Sequence, residues 1–300
     1  MKQVVLITGA NGMVAKHLAK QLEGDYNVRF LTQRVTNSNQ YLWDINTKFI
    51  DTQALKGVNH IVHLAGSPIL GKRWSKKQKQ TILESRVNSA QLILDTLKEH
   101  SLTVDSFISA SAIGYYGTVT TQNIFTEESS KGNDFLSDVC DKWEYVANQF
   151  KLSGVANRVS VVRTGVVLEK NSGALKKIVK PIKLRIGANI GTGNQYMPWI
   201  HIYDLCNIYK YIIDNNYISG TFNGVAPQHI TNSELTKSIA KSLNRRIILP
   251  NIPEFFIKFL FGKMSVILLR GSRVSSDKII QVGYCFKYNT LEQALNNLLK

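Results

Sequence analysis

The chain is short of acid: its 300 residues carry 21 Asp and Glu against 37 Lys and Arg, a formal net charge of +16. That imbalance favours anionic partners, whether cofactor phosphates, nucleic acid or acidic lipid. The basic stretches GKRWSKKQKQ (71–80) and LKKIVKPIKLR (175–185) have neither an aromatic RNP-like strand nor a zinc-finger spacing beside them, so no specific nucleic-acid partner is expected. Cysteine is equally scarce. Cys140, Cys206 and Cys285 are scattered, with no CxxC pair, which excludes a disulfide framework and suggests reduced thiols in a cytoplasmic protein. His60 and His63 have no carboxylate cluster to complete a metal site, and no metal is expected.

Long apolar runs are missing too. No stretch reaches the roughly 18 uninterrupted apolar residues needed to span a bilayer. The most apolar late segment, IPEFFIKFLFGKMSVILLRG (252–271), is cut by Lys258, Gly262 and Lys263. It reads as helix packed on its own domain rather than as a membrane-surface element, and no membrane partner is expected. The opening MKQVVLITGANGMVA resembles a short signal peptide only superficially: Thr8, Gly9, Asn11 and Gly12 break the run, so it reads as a strand entering a tight turn.

A chain this long with 44% apolar residues can bury a large core. VVLIT (4–8) is a continuous apolar and β-branched run, as expected of a parallel strand covered on both faces. Helix is expected over Met13–Leu22, 81–100 and 135–150, and strand over 27–34, 60–66, 106–112 and 159–168. This alternation predicts an α/β fold, a Rossmann-type doubly wound parallel sheet over 1–168. A smaller C-terminal α+β substrate cap is expected over 169–300, with some segments returning to the main sheet. Helical patterns there cover 173–184, 204–214, 231–243, 254–269 and 290–299, and short strands are expected at 220–226 and at RRIILP (245–250).

TGANGMVA (8–15) leaves the first strand and opens the first helix. Gly9 and Gly12 allow a tight turn and close approach of the backbone to a pyrophosphate, with Asn11 and Met13 in the same turn; Ala15 takes the third position of a G-x-x-G-x-x-G pattern. The second strand ends in Leu31-Thr32-Gln33-Arg34, without the acid that would accept the ribose hydroxyl of NAD. Arg34 suits a 2′-phosphate, so NADP is expected, with NAD the alternative. Leu64, Ala65 and Gly66, ending the third strand, are small or apolar, as a loop beside the adenosine requires.

Together these motifs resemble the short-chain dehydrogenase/reductase superfamily in its extended branch. HLAGSPILGKRW, ILESRVNSAQLI, ISASAIGYYG, FLSDVCDKWE, VVRTGVVLEKNSGALKKI, PWIHIYDL, GTFNGVAP and FGKMSVILLRGSRV, in that order along nearly the whole chain, are similar to its atypical epimerase family. Bacterial members of that family are labelled NAD-dependent epimerase/dehydratases or SulA-like cell-division inhibitors. The resemblance implies cofactor roles for Gly9, Gly12, Arg34, Leu64, Ala65, Arg86 and Val167. It also implies that Ser111 orients a substrate oxygen, with Ser109 the competing alignment.

The superfamily's acid/base pair is absent. Where a tyrosine and, four residues on, a lysine are expected, FLSDVCDKWEYVANQF has Cys140 and Glu144, and no tyrosine in the chain has a lysine four residues later. A phenol with a pKa of about 10 needs a nearby cation to work at neutral pH, and Glu144 would oppose it. Three readings stay open: proton transfer by Tyr115 or Tyr116; different chemistry at Cys140, Asp141 or Glu144; or NADP binding without turnover by a regulator or scaffold. His201 and Asp204 are expected to join the cap to the sheet, Asp204 capping the helix that follows. The chain is thus expected to be an oxidoreductase or epimerase-like enzyme acting on a small sugar-like or anionic substrate, as a monomer or homodimer.

Overall fold

The computed structural model of the chain describes residues 2–300; Met1, the first residue of the opening apolar run, lies outside them. The first half runs β1 (Val4–Thr8), α1 (Met13–Leu22), β2 (Asn27–Thr32), β3 (Gln40–Asp44), β4 (Phe49–Ile50), β5 (His60–His63), α2 (Lys76–Glu99), β6 (Val104–Ala112), β7 (Ile124–Phe125), α3 (Phe135–Leu152) and β8 (Ala156–Thr164). The second half adds β9 (Val166–Leu168), α4 (Gly173–Lys183), β10 (Trp199–His201), α5 (Ile202–Asp214), β11 (Gly220–Gly224), α6 (Asn232–Ser242), α7 (Glu254–Phe261), α8 (Val266–Leu269), β12 (Arg273–Val274), α9 (Asp277–Gln281) and α10 (Leu291–Leu299).

Eight strands form the main sheet in the order β11-β8-β6-β5-β1-β2-β3-β4, parallel throughout except for β4 at the edge. The chain starts in the middle and winds outward to both sides, which makes the fold Rossmann-like. Side chains alternate across β1: Val4 and Leu6 join the core under α2 and α3, Val5 and Ile7 the core under α1 and α5. Both faces are covered, so the strand tolerates no polar position before Thr8. A third apolar cluster, with Leu175, Leu235, Leu295 and Trp199, holds α4, α6 and α10 together.

The chain beyond residue 169 supplies part of the main body: β11 extends the sheet beside β8, and α5 packs on α1. The strand expected over 159–168 is broken at Gly165, where a side-chain methyl would lie 2.6 Å from the Pro198 carbonyl oxygen. That close approach turns the chain from the main sheet into the separate β9–β10 pair. RRIILP is not a strand: no neighbouring strand offers it a ladder, and Ile248 and Leu249 are exposed. The 254–269 helix breaks at Gly262 (φ +56°). Nor does all of it pack on its own domain: Ile257 is buried and Phe261 joins the Trp74–Met264 cluster, but Phe255, Phe256, Phe259 and Leu260 face outward. The edge strands β3 and β4 went unforeseen because their sequence mixes polar and apolar residues without a period. Among the described residues no helix is long and apolar enough to cross a membrane.

Asp204 is not the cap of α5. His201 caps it, its Nδ1 accepting from the Tyr203 amide at 3.0 Å. The Asp204 carboxylate reaches the C-terminal segment instead, accepting from the Lys287 and Tyr288 amides at 2.8 and 3.0 Å and from the Tyr284 hydroxyl at 3.2 Å. It is an acceptor that ties residues 284–288 to the first turn of α5.

His60 and His63 are held by hydroxyls. His60 Nδ1 bonds Ser106 Oγ at 2.8 Å; His63 bonds Thr8 Oγ1 at 3.0 Å and Ser89 Oγ at 3.1 Å. Burial pushes both imidazoles down, to about 4. The unfolded chain, whose histidines titrate near 6.5, therefore binds more protons than the folded one between those values. Their contribution to stability is complete above that window and is lost as pH falls through it. The urea midpoint should drop between about pH 7 and about pH 5, and His63→Gln should flatten the dependence; a wild-type midpoint constant over that range would contradict this account.

Candidate cofactor and substrate site

The Gly9 turn is built by close backbone contact. Gly9 adopts φ +74°, and a methyl group on it would lie 3.1 Å from the Leu64 carbonyl oxygen and 3.2 Å from Ala65 Cα. Any side chain there is both strained and crowded. Thr8 fixes the facing loop, its Oγ1 accepting from the Leu64 and Ala65 amides at 3.0 Å each. Gly12 begins α1 with no side-chain cap and no acid in the first turn, leaving the helix N-terminus open to an anion. Met13, Leu64 and Val167 pack against one apolar cluster, and Ser172 Oγ lies 2.9 Å from Met13 Sδ. The structure thus brings Gly9, Gly12, Met13, Leu64, Ala65 and Val167 together at the carboxyl ends of the strands. Asn11 is exposed on the turn, and Arg34 is exposed two residues past β2.

Gly66 leads to Arg86. The Arg86 guanidinium stands where a Gly66 side chain would be, 2.9 Å from the position of its methyl, so glycine here makes room for the cation. Arg86 is buried and lies over the Trp143 ring at 5.2 Å. It donates to the Ile82 carbonyl at 2.8 Å, and no ion pair to it is found among the described residues. Burial lowers its pKa, the response of a cation removed from water without a counter-ion.

Beside Arg86 is a cavity of about 340 Å³, lined by Ser111 and Cys140 with a mostly apolar wall that includes Ile69, Leu136, Val139 and Met197. Ser111 faces it. Ser109, one pleat back, donates to the Ala110 carbonyl and does not line it, so the geometry favours the Ser111 alignment.

The lysine position holds the negative half of a buried ion pair. Glu144 receives two parallel bonds from Arg163 on β8, Nε at 2.9 Å and Nη2 at 2.8 Å, and Ser111 Oγ donates to the same carboxylate at 2.6 Å. Arg163 Nη1 donates to the Tyr116 hydroxyl at 3.1 Å, and that hydroxyl donates to Asn223 Oδ1 at 2.6 Å. Burial pushes the Tyr116 phenol up to about 12, against the opposing pull of Arg163. With both its donor and acceptor engaged, Tyr116 contributes its ring to the cavity wall. Tyr115 lies with its ring 3.4 Å from the Arg163 guanidinium carbon, outside the cavity lining. Burial also pushes the Cys140 thiol up to about 12, Glu144 adding to the shift; Sγ sits 3.6 Å from the Ala112 carbonyl. At neutral pH it is a thiol, a weak nucleophile.

Arg163 and Asn223 were not singled out in the sequence. The signal for Arg163 was present: Glu144 continues the buried stripe of α3, which demands a cation, and VSVVRTGVVL carries one arginine in an otherwise apolar strand. Glu144→Leu or Arg163→Met alone should each cost about 3–5 kcal/mol by stranding a buried charge. The double substitution should lose much less than the sum of the two. Denaturant unfolding of the four proteins measures this, and additive losses would refute the coupling.

The sequence pattern of the NAD dependent epimerase/dehydratase family matches residues 5–139, and that of a Domain of unknown function (DUF1731) matches 252–298. The chain is 33% identical to Epimerase family protein YfhF of Bacillus subtilis, over 98% of this chain and 97% of that one. It is 30% identical to Epimerase family protein SDR39U1 of Mus musculus, over 98% and 99%. Human SDR39U1, isoform 2, in a crystal structure with NADPH, superposes with a TM-score of 0.88 at 27% identity, over 99% of both chains. A nucleoside-diphosphate sugar epimerase from Corynebacterium glutamicum superposes at 0.81 with 29% identity, over all of this chain and 58% of that one. Matched by both patterns and 33% identical to YfhF over nearly the whole of both chains, the chain belongs to the NAD-dependent epimerase/dehydratase family of extended short-chain dehydrogenases, in the branch with a C-terminal DUF1731 domain.

Proposed function

We propose that this chain binds NADPH across the Gly9 turn and uses it for hydride transfer on a small substrate held in the Ser111–Cys140 cavity. One observation carries the reading: unbroken contacts run from the uncapped α1 N-terminus through Leu64–Ala65 and Gly66 to the unpaired Arg86, and Arg86 lines the cavity. The turn fits a pyrophosphate because Asn11 and Gly12 are exposed beside a helix N-terminus that carries neither a side-chain cap nor an acid in its first turn. Arg86 fits an anionic group because no acid of the described residues neutralises it. Arg34, free in solvent beyond β2, suits the 2′-phosphate, and human SDR39U1 crystallised with NADPH supports the same preference.

The cofactor, when bound, supplies or accepts the hydride. The chain's own residues hold the substrate and handle the proton. Ser111 Oγ already donates to Glu144, so its lone pairs face a substrate hydroxyl as acceptors. As Ser111 takes that proton, its own passes to the Glu144 carboxylate; run backwards, the same relay returns it. Arg163 keeps Glu144 in place, and the apolar wall excludes competing water. Cys140, Tyr115 and Tyr116 serve as walls and props for this arrangement.

The second reading, NADP binding without turnover, draws support from the fully paired Glu144–Arg163 bridge, which differs in charge from the usual lysine.

Titration with NADPH and NADH tests the binding. Arg34→Asp should weaken NADPH by about tenfold to a hundredfold, the worth of a charge-assisted contact, and leave NADH nearly unchanged; equal losses would remove Arg34 from the 2′-phosphate role. A screen of small alcohols, carbonyl compounds and nucleotide sugars, following NADPH absorbance, tests the chemistry. Ser111→Ala should abolish turnover without changing NADPH affinity. Turnover that survives it eliminates the relay, and no turnover with any compound favours the regulator.

A further inference from the structure

The helix α7, EFFIKFLF, is apolar on two sides and packed on only one. Ile257 is buried, and Phe261, four residues on and so on the same side of the helix, packs against the cluster that contains Trp74, Leu136 and Met264. Phe255, Phe256, Phe259 and Leu260 fall together on the opposite face. Phe255 and Phe259 are 73% and 75% exposed, which leaves both rings standing in solvent. An ordinary surface helix has polar residues there.

The apolar surface extends beyond the helix. The segments that carry Leu184, Ile186, Ile248 and Leu249 run in parallel into a bridge between Ile190 and Ile252, two residues before α7 begins. All four of those side chains are exposed, Ile248 by 72%. Exposed apolar side chains gathered on an uncovered helix face and on the segments leading to it mark an interaction site.

Charge identifies the partner. From 173 to 193 the chain has five basic residues (Lys176, Lys177, Lys180, Lys183, Arg185) and no acid. From 241 to 263 it has five more (Lys241, Arg245, Arg246, Lys258, Lys263) against the single acid Glu254, which is paired to Lys258 and Arg270. Arg73 sits at the other end of α7, donating to the Phe259 and Leu260 carbonyls. Protruding aromatic and aliphatic tips bordered by Lys and Arg are complementary to the interfacial zone of an anionic bilayer. A second copy of this chain would bring the same cations face to face, and the tips protrude singly instead of forming a pocket for a partner's side chain.

We propose that α7 and the 184–186 and 248–249 segments form a docking face for a membrane surface rich in anionic lipid. The four outward side chains of α7 enter the headgroup region while the surrounding cations contact lipid phosphates. This is peripheral binding, consistent with the absence of a spanning helix among the described residues. It goes beyond the expectation that the chain has no membrane partner, on the strength of the four α7 side chains that its own domain leaves uncovered. Because α7 leads through Gly262 to Ile267 and Arg270 of the cavity lining, docking would place the cavity mouth close to the bilayer.

Co-sedimentation of the full chain with vesicles tests the proposal. The chain should bind vesicles of phosphatidylglycerol mixed with phosphatidylcholine and not phosphatidylcholine alone, and rising salt should weaken it. Phe255→Ser with Phe259→Ser should lower the partition coefficient at least about tenfold. The same pair should leave the unfolding midpoint unchanged, because neither ring is packed. Lys258→Glu with Lys263→Glu should also weaken binding, by about fivefold or more for each charge. Failure to bind the anionic vesicles, or binding indifferent to the phenylalanine pair, overturns the proposal. So does a dimer in sedimentation equilibrium that the same pair dissociates while vesicles bind nothing, which would assign the face to a second copy.

Discussion

A carboxylate on α3 and a guanidinium on β8, both removed from water, hold the cavity end of this molecule in one arrangement. Glu144 and Arg163 meet in two parallel bonds, and neither could stay charged at such burial without the other. Around them the remaining valences are filled: Ser111 from β6 on the acid, the Tyr116 hydroxyl and the Glu127 carbonyl on the base, and Asn223 from β11 on Tyr116. Three strands and a helix are therefore linked by one polar network in an apolar interior. Such networks specify a unique packing because each partial rupture exposes an unsatisfied group.

The network also explains how this fold departs from the usual short-chain dehydrogenase site. A lysine near a tyrosine lowers the phenol's pKa; a glutamate at the same place on the helix would raise it. Here the tyrosine has gone as well, and the thiol in its place is protonated and buried. The acid has instead acquired its own cation from β8, and Ser111, which lines the cavity, is bonded to it. The dinucleotide end shows no such change. The glycine turn, the open helix terminus and the small loop facing them are what a pyrophosphate requires, and the unpaired Arg86 connects that end to the cavity. The molecule joins an ordinary glycine turn to a cavity whose usual lysine position is held by a paired acid.

Much of this was readable in the chain. VVLIT announced a strand buried on both faces, TGANGMVA the turn that follows it, and the 3.6-residue stripe of α3 its buried face. What failed did so for tertiary reasons. Gly165 looked like an interior strand residue, but the Pro198 backbone passes too close for any side chain. RRIILP has strand composition without a neighbouring strand to pair with. Asp204 has a capping residue's place near a helix start, but its partners arrive from 80 to 84 positions later. Tyr115 and Tyr116 leave the right strand at the right level, and only the positions of Arg163 and Asn223 reveal that one stacks on a guanidinium and the other has its hydroxyl engaged.

The sequence by itself determined the central parallel strands, the helices between them and the place of the glycine turn, because these depend on local period, glycine spacing and contacts between near neighbours along the chain. It also determined that the customary acid/base pair is missing. Only the tertiary structure decided what stands in its place and which apolar residues remain uncovered. Both depend on which side chains meet across distant strands and helices: Glu144 finds Arg163 nineteen positions on and Ser111 thirty-three back, while Phe255 and Phe259 find nothing. Pairing and exposure of that kind have no local pattern, since a buried charge and an exposed ring are written with the same letters wherever they end up.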